Sequence, residues 1–72
     1  MTPEEVGRRI RMLRIAHAKS QADLGAMLGL SGTAISHYEC GTVYVPTEKL
    51  MQLALIFNVS VDYLIGNTDR IH

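Results

Sequence analysis

Apolar residues recur along this chain at intervals of three and four, the period of helices that each bury one face. Val6, Ile10, Leu13 and His17 make one such stripe. Leu24, Met27 and Leu28 make a second, Gly29 follows, and Leu30, Ala34, Ile35 and Tyr38 make a third. Leu50, Leu53, Ala54 and Phe57 share a fourth face, and residues 61–65 form a last short apolar run. The pattern predicts an all-α protein, a compact bundle of five short helices.

The residues between the stripes mark where each helix starts and stops. Thr2, Pro3 and Glu5 offer a hydroxyl cap, a proline at the first helical position and a glutamate placed to complete a capping box. The first helix is expected to end near residues 18–19. Ser20 and Ser31 precede helices over about residues 21–28 and 32–40, where a hydroxyl can accept a bond from an otherwise unpaired backbone N–H. Thr47 is expected to cap the fourth helix and Asn58 to stop it. Ser60 and Gly66 bracket the fifth. Met12, Met27 and Met51 read as filling in or near the core. No repeat, linker or low-complexity tract interrupts the chain, so residues 1–72 are expected to form one domain, with 67–72 a loose polar tail.

Residues 21–38, QADLGAMLGLSGTAISHY, organise the rest. Two short helices here flank a tight turn that carries Gly29 where a helix C-terminus needs a left-handed residue. Gly25 supplies a small residue where two steeply crossing helices come too close for a larger one. This is the spacing of a helix-turn-helix. The residues and their order resemble the phage-repressor and Cro type (XRE-like) of helix-turn-helix regulator. SQADLGAMLGLS resembles that family's first motif helix and turn, AISHYECG its recognition helix and exit, and KLMQLALIFNVSVDYLIG its last two helices. The resemblance runs from about residue 6 to residue 66. It implies a lambda-repressor-like bundle and a sequence-specific DNA-binding transcriptional regulator, most simply a repressor, acting as a dimer on double-stranded DNA. In the family, an Arg at the position of Arg14 reaches the Glu at the position of Glu39, so a partly buried ion pair is expected there.

In such a motif the second helix enters the major groove and presents its N-terminal half to base edges. Gly32, Thr33, Ser36 and His37 are expected to face outward. Thr33 can offer a methyl to thymine, His37 can donate to guanine acceptors, and Ser36 suits either base type. Relatives commonly carry a long Gln or Arg at the position of Gly32, where no side chain can read a base here. Gln21 matches a family glutamine that holds a DNA phosphate at the start of the first motif helix. Ser31 and Thr42 are further phosphate candidates, Ser31 being equally explained as a cap.

Charge complicates this picture. Seven Lys and Arg balance seven Asp and Glu, for a formal net charge of zero, whereas DNA affinity draws heavily on Lys and Arg at phosphates. Arg8, Arg9, Arg11, Arg14 and Lys19 crowd the first helix, either as a phosphate-facing patch or as a solvated face. No Lys or Arg stands between residues 20 and 48. A chain of 72 residues buries only about 60% of its unfolded surface, and Tyr44, Leu55, Ile56 and Tyr63 are expected to form an apolar patch for a dimer partner. A second function therefore stays open: a protein-interaction module or antitoxin-like partner on the same bundle.

The remaining chemistry is sparse. Cys40 is the one cysteine, which excludes an internal disulfide. It follows His37 by three residues, but two ligands do not make a metal site and no second pair is in view. No carboxylate pair, phosphate loop or nucleophile with an oriented base appears, so neither an enzyme nor a cofactor is expected. No apolar run is long enough for a membrane span, and acids stand where a signal peptide would carry a basic region, so a cytoplasmic protein is expected.

Overall fold

The computed structural model describes residues 2–72; Met1, within the expected domain, lies outside the described residues. Five helices follow in order: α1 (Pro3–Ala16), α2 (Gln21–Leu28), α3 (Gly32–Cys40), α4 (Thr47–Phe57) and α5 (Val61–Leu64). Among the described residues there is no strand. Each helix contributes one side chain with no exposed surface: Ile10, Leu24, Ile35, Leu53 and Leu64. These five meet at the centre, so the apolar stripes converge on one core. Val6, Leu28, Leu50 and Phe57 close around them.

Four helices begin on a hydroxyl. Thr2 accepts from the Glu5 N–H at 3.1 Å, Ser31 from Ala34 at 3.1 Å and Ser60 from Tyr63 at 3.0 Å. At α2 the bonding is reciprocal, Ser20 accepting from Asp23 N–H at 2.9 Å while the Asp23 carboxylate accepts from Ser20 N–H at 3.0 Å. The exception is α4. Thr47, expected as its cap, is instead the first helical residue, and Pro46 stands at the cap position without a side-chain bond. Proline's ring holds φ near the value this entry needs, and the Pro46 carbonyl accepts from the Leu50 N–H at 3.0 Å.

The end of α1 falls at Ala16, two residues earlier than the apolar pattern suggests, because Ala18 turns left-handed with φ +54°. His17 caps this end. Its ring lies 4.9 Å from that of Phe57, and its Nδ1 stands 2.8 Å from the Leu13 carbonyl.

The methionines correct the sequence reading: Met12, Met27 and Met51 are 63%, 49% and 57% exposed. Met12 and Met51 each lie two residues from a fully buried side chain, Ile10 and Leu53, about 200° around the helix, and so point away from the core. In α2, only two turns long, the buried stripe is Leu24, Gly25 and Leu28, which leaves Met27 at its edge. The segment 67–72, expected to be loose, is mostly exposed and meets the bundle through a few hydrogen bonds. Arg9 donates to the Thr68 carbonyl at 3.4 Å and to the Asp69 carboxylate at 3.0 Å, and the Ser60 N–H donates to the Ile71 carbonyl at 2.7 Å.

Candidate nucleic-acid interface

The turn between α2 and α3 is set by two glycines. Gly29 adopts φ +70°, and the chain folds back so that the Leu30 N–H donates to the Gly25 carbonyl at 2.7 Å. A β-carbon on Gly25 would stand 2.7 Å from the Leu30 carbonyl oxygen and 2.8 Å from the Ser31 carbonyl carbon. Only a residue without a side chain permits this crossing. α1 braces α3 from behind at equally close range, since a β-carbon on Gly7 would collide with the Tyr38 and Glu39 carbonyls.

Behind α3 lies a polar latch. Arg14 Nε donates to Glu39 Oε2 at 2.5 Å and Arg14 Nη2 to Glu39 Oε1 at 3.1 Å, with side-chain exposures of 13% and 3%. Arg14 Nη1 also donates to the Lys19 carbonyl at 2.9 Å. The hydrogen bonds that Arg14 gives to Glu39 raise its pKa above the ordinary value, against the opposing effect of burial. Gln21 joins the latch, donating from Nε2 to Glu39 Oε1 at 3.1 Å. One carboxylate thus ties together α1, the start of α2 and α3. Sequence reasoning missed this third member, since nothing local marks residues 21 and 39 as neighbours.

The opposite face of α3 is small and polar. Thr33 and His37 are exposed and Ser36 is half-buried, while Ile35, Tyr38 and Glu39 turn inward. Gly32 does not face outward as expected. A β-carbon there would stand 3.2 Å from the Ala22 nitrogen and 3.3 Å from its Cα, so the first turn of α3 rests on the first turn of α2. At the two ends of this face stand Ser31 and Thr42. The Ser31 oxygen accepts the capping bond and its own O–H remains available to donate. Thr42 Oγ1 donates to the His37 carbonyl at 3.2 Å and lies 3.2 Å from His37 Nδ1.

The arginines of α1 have different fates. Arg8 and Arg11 are exposed. Arg9 is half-buried, paired with Asp69 and stacked over Tyr63 at 4.4 Å. That stacking also separates the residues expected to form one apolar patch. Tyr63 lines a depression with Arg8, Arg9 and Asp69, whereas Leu55, 83% exposed, lines another with Met51, Val59 and Val61. Ile56 packs against the core, and Tyr44 stands exposed on the loop after α3. Met51 belongs with Leu55, and their spacing of four residues on α4 was the signal for it. Among the described residues, no cluster of three or more His, Cys, Asp and Glu is arranged to hold a metal, and no helix is long and apolar enough to cross a membrane.

Two helices crossing at a glycine turn, the second braced from behind and bare in front, define the helix-turn-helix class. The chain belongs to the helix-turn-helix family, whose model matches residues 10–64. It is similar to the P22 c2 repressor protein as seen in complex with synthetic operator 9T in the presence of Tl+: 39% identical, TM-score 0.77, covering 82% of this chain and 89% of that one. It is 38% identical over 61 residues to the uncharacterized HTH-type transcriptional regulator YobD of Bacillus subtilis (strain 168), covering 85% of this chain and 54% of the relative. It is also 34% identical over 61 residues to the antitoxin PezA of Streptococcus pneumoniae serotype 4 (strain ATCC BAA-334 / TIGR4), covering 85% of this chain and 39% of that one. The chain therefore spans about half the length of these two relatives or less.

Proposed function

We propose that this protein is a sequence-specific DNA-binding transcriptional regulator, most simply a repressor, that works in the cytoplasm as a two-fold dimer on DNA. The observation that carries this reading is the pairing of a rigid back with an open front on α3. Glu39 and Arg14 fix the helix, and Thr33, Ser36 and His37 are presented together on its outer side. With α3 in the major groove, the Thr33 methyl meets a thymine methyl, the Ser36 hydroxyl donates or accepts, and His37 engages a base edge. Gln21 gives one amide N–H to Glu39 and turns its other N–H, with the free backbone groups at the start of α2, to a phosphate. Ser31 donates its hydroxyl proton to a neighbouring phosphate. Thr42 has its proton engaged by the His37 carbonyl, so its part is to hold His37 more than to grip the backbone.

The dimer surface is built on Leu55 and Met51, with Val59 and Val61 beside them and Ile56 beneath. Tyr44 and Tyr63 lie outside it. A two-fold pair would bring its α3 helices into major grooves about 34 Å apart. The likeness to the P22 c2 repressor, a protein seen with an operator bound, supports the DNA-binding part of this reading.

A second reading has its own support. The stretch without Lys or Arg between residues 20 and 48 and the likeness to the antitoxin PezA fit a bundle that engages a protein partner. Selection from a randomised duplex pool at low and at moderate salt separates the two. Enrichment of a two-fold symmetric site that survives moderate salt is the expected result. No enrichment, or retention at low salt alone, overturns the regulator reading in favour of the protein partner.

A further inference from the structure

His37 is the one imidazole on the outer face of α3 formed with Thr33 and Ser36, and Thr42 approaches its ring at one edge. A hydroxyl has a single proton, and Thr42 Oγ1 gives that proton to the His37 carbonyl. What it turns toward His37 Nδ1, 3.2 Å away, is a lone pair. With the Thr42 proton on that carbonyl, the neutral ring would carry its hydrogen on Nδ1 and leave Nε2, across the ring, a bare acceptor. We infer that His37 selects its base according to its protonation state: neutral, Nε2 accepts from the exocyclic amine of adenine or cytosine; protonated, it donates to O6 or N7 of guanine. This rests on the DNA-binding reading above and replaces a fixed preference for guanine with a conditional one.

The charge around the face makes the switch consequential. Between residues 20 and 48 there is no Lys or Arg and no other His, so a proton on His37 is the one positive side-chain charge that this stretch can gain. α3 packs on α1 and α2. From α1, Glu4 lies beside Gly41, Arg14 is taken by Glu39, and Arg11 shares the Gly7 side by helical spacing. From α2, Asp23 is bonded to Ser20. On α3 itself, Glu39 is turned to Arg14 and Cys40 is exposed. Among the described residues none of these bonds to the His37 ring, which leaves Thr42 to set the position of the proton.

The test is selection from a randomised duplex pool at about pH 8 and about pH 6, with the unaltered chain, His37→Gln and Thr42→Val. The expected result is one enriched two-fold site in which a single position in each half changes from adenine or cytosine to guanine as pH falls. Affinity for the guanine version should rise by up to about tenfold per pH unit per protomer. His37→Gln should lose the change. Thr42→Val, which frees the ring to carry its hydrogen on Nε2, should admit guanine at the higher pH as well. The same base at both pH values, or a change that persists in His37→Gln, overturns this inference and leaves DNA binding standing. No enriched sequence at either pH overturns the DNA-binding reading itself.

Discussion

α1, α2 and α3 are joined in a different way from α4 and α5. In the first group backbones touch at Gly7 and Gly25, and a buried carboxylate is shared by Arg14 and Gln21. In the second, Leu50, Leu53, Phe57 and Leu64 are buried mainly by area, with one Lys49 bond to the Leu28 carbonyl and the Arg9 stack on Tyr63 as the directional contacts, and Leu55 and Met51 are left in water. Directional contacts fix the angle of one helix on another, which a surface that must match a groove requires. Non-directional burial tolerates adjustment, which suits a surface that meets a second protein.

Removing one partner of the latch gives the largest expected effect. Arg14→Met should cost about 3–5 kcal/mol by stranding Glu39, measured by urea unfolding. In a double-mutant cycle with Glu39→Gln the losses should be non-additive. Additive losses would mean that the first group is held no more directionally than the second.

Next comes a gain. Ala18 occupies a left-handed conformation at φ +54°, which costs an L-residue about 1–2 kcal/mol. Ala18→Gly should raise stability by about 1 kcal/mol once the greater freedom of the unfolded chain is offset. A loss instead would mean that the α1–α2 link depends on the Ala18 methyl.

A smaller, pH-dependent term follows from Asp23. The Ser20 N–H, and then the Ser20 hydroxyl, hold its pKa below the usual carboxylate value. A lowered folded value stabilises above the unfolded pKa and is lost as pH falls through the folded one. Melting temperature should therefore drop on acidification below about pH 4, and Asp23→Asn should flatten that part of the profile. Parallel profiles for the two proteins would remove the box from the account.

The smallest effect on folding is expected at Leu55. Leu55→Lys should change monomer stability by less than about 0.5 kcal/mol while abolishing the dimer, as read by sedimentation on DNA. An unchanged dimer would move the interface elsewhere.

What was legible in the sequence was local. The stripes, the caps at Ser20, Ser31 and Ser60, and the glycines at the turn depend on residues within a few positions of each other. They could be read without knowing the fold. The partner of Arg14 required a resemblance, because no local rule joins residues 25 apart. Gln21 on Glu39 and Arg9 on Asp69, separated by 18 and 60 residues, were not visible. Gly32 was misread for a related reason. Helical spacing sets which side of α3 it occupies, but the crossing angle decides that α2 already fills that side.

Cys40, the one cysteine, is exposed and is the last residue of α3. A maleimide dye would therefore couple to the unaltered chain at a single known atom, its Sγ, without engineering. The alkylation rate of that thiol, followed as duplex is titrated in, becomes a footprint of the exit of α3. It reports occupancy in real time at the scale of a single side chain.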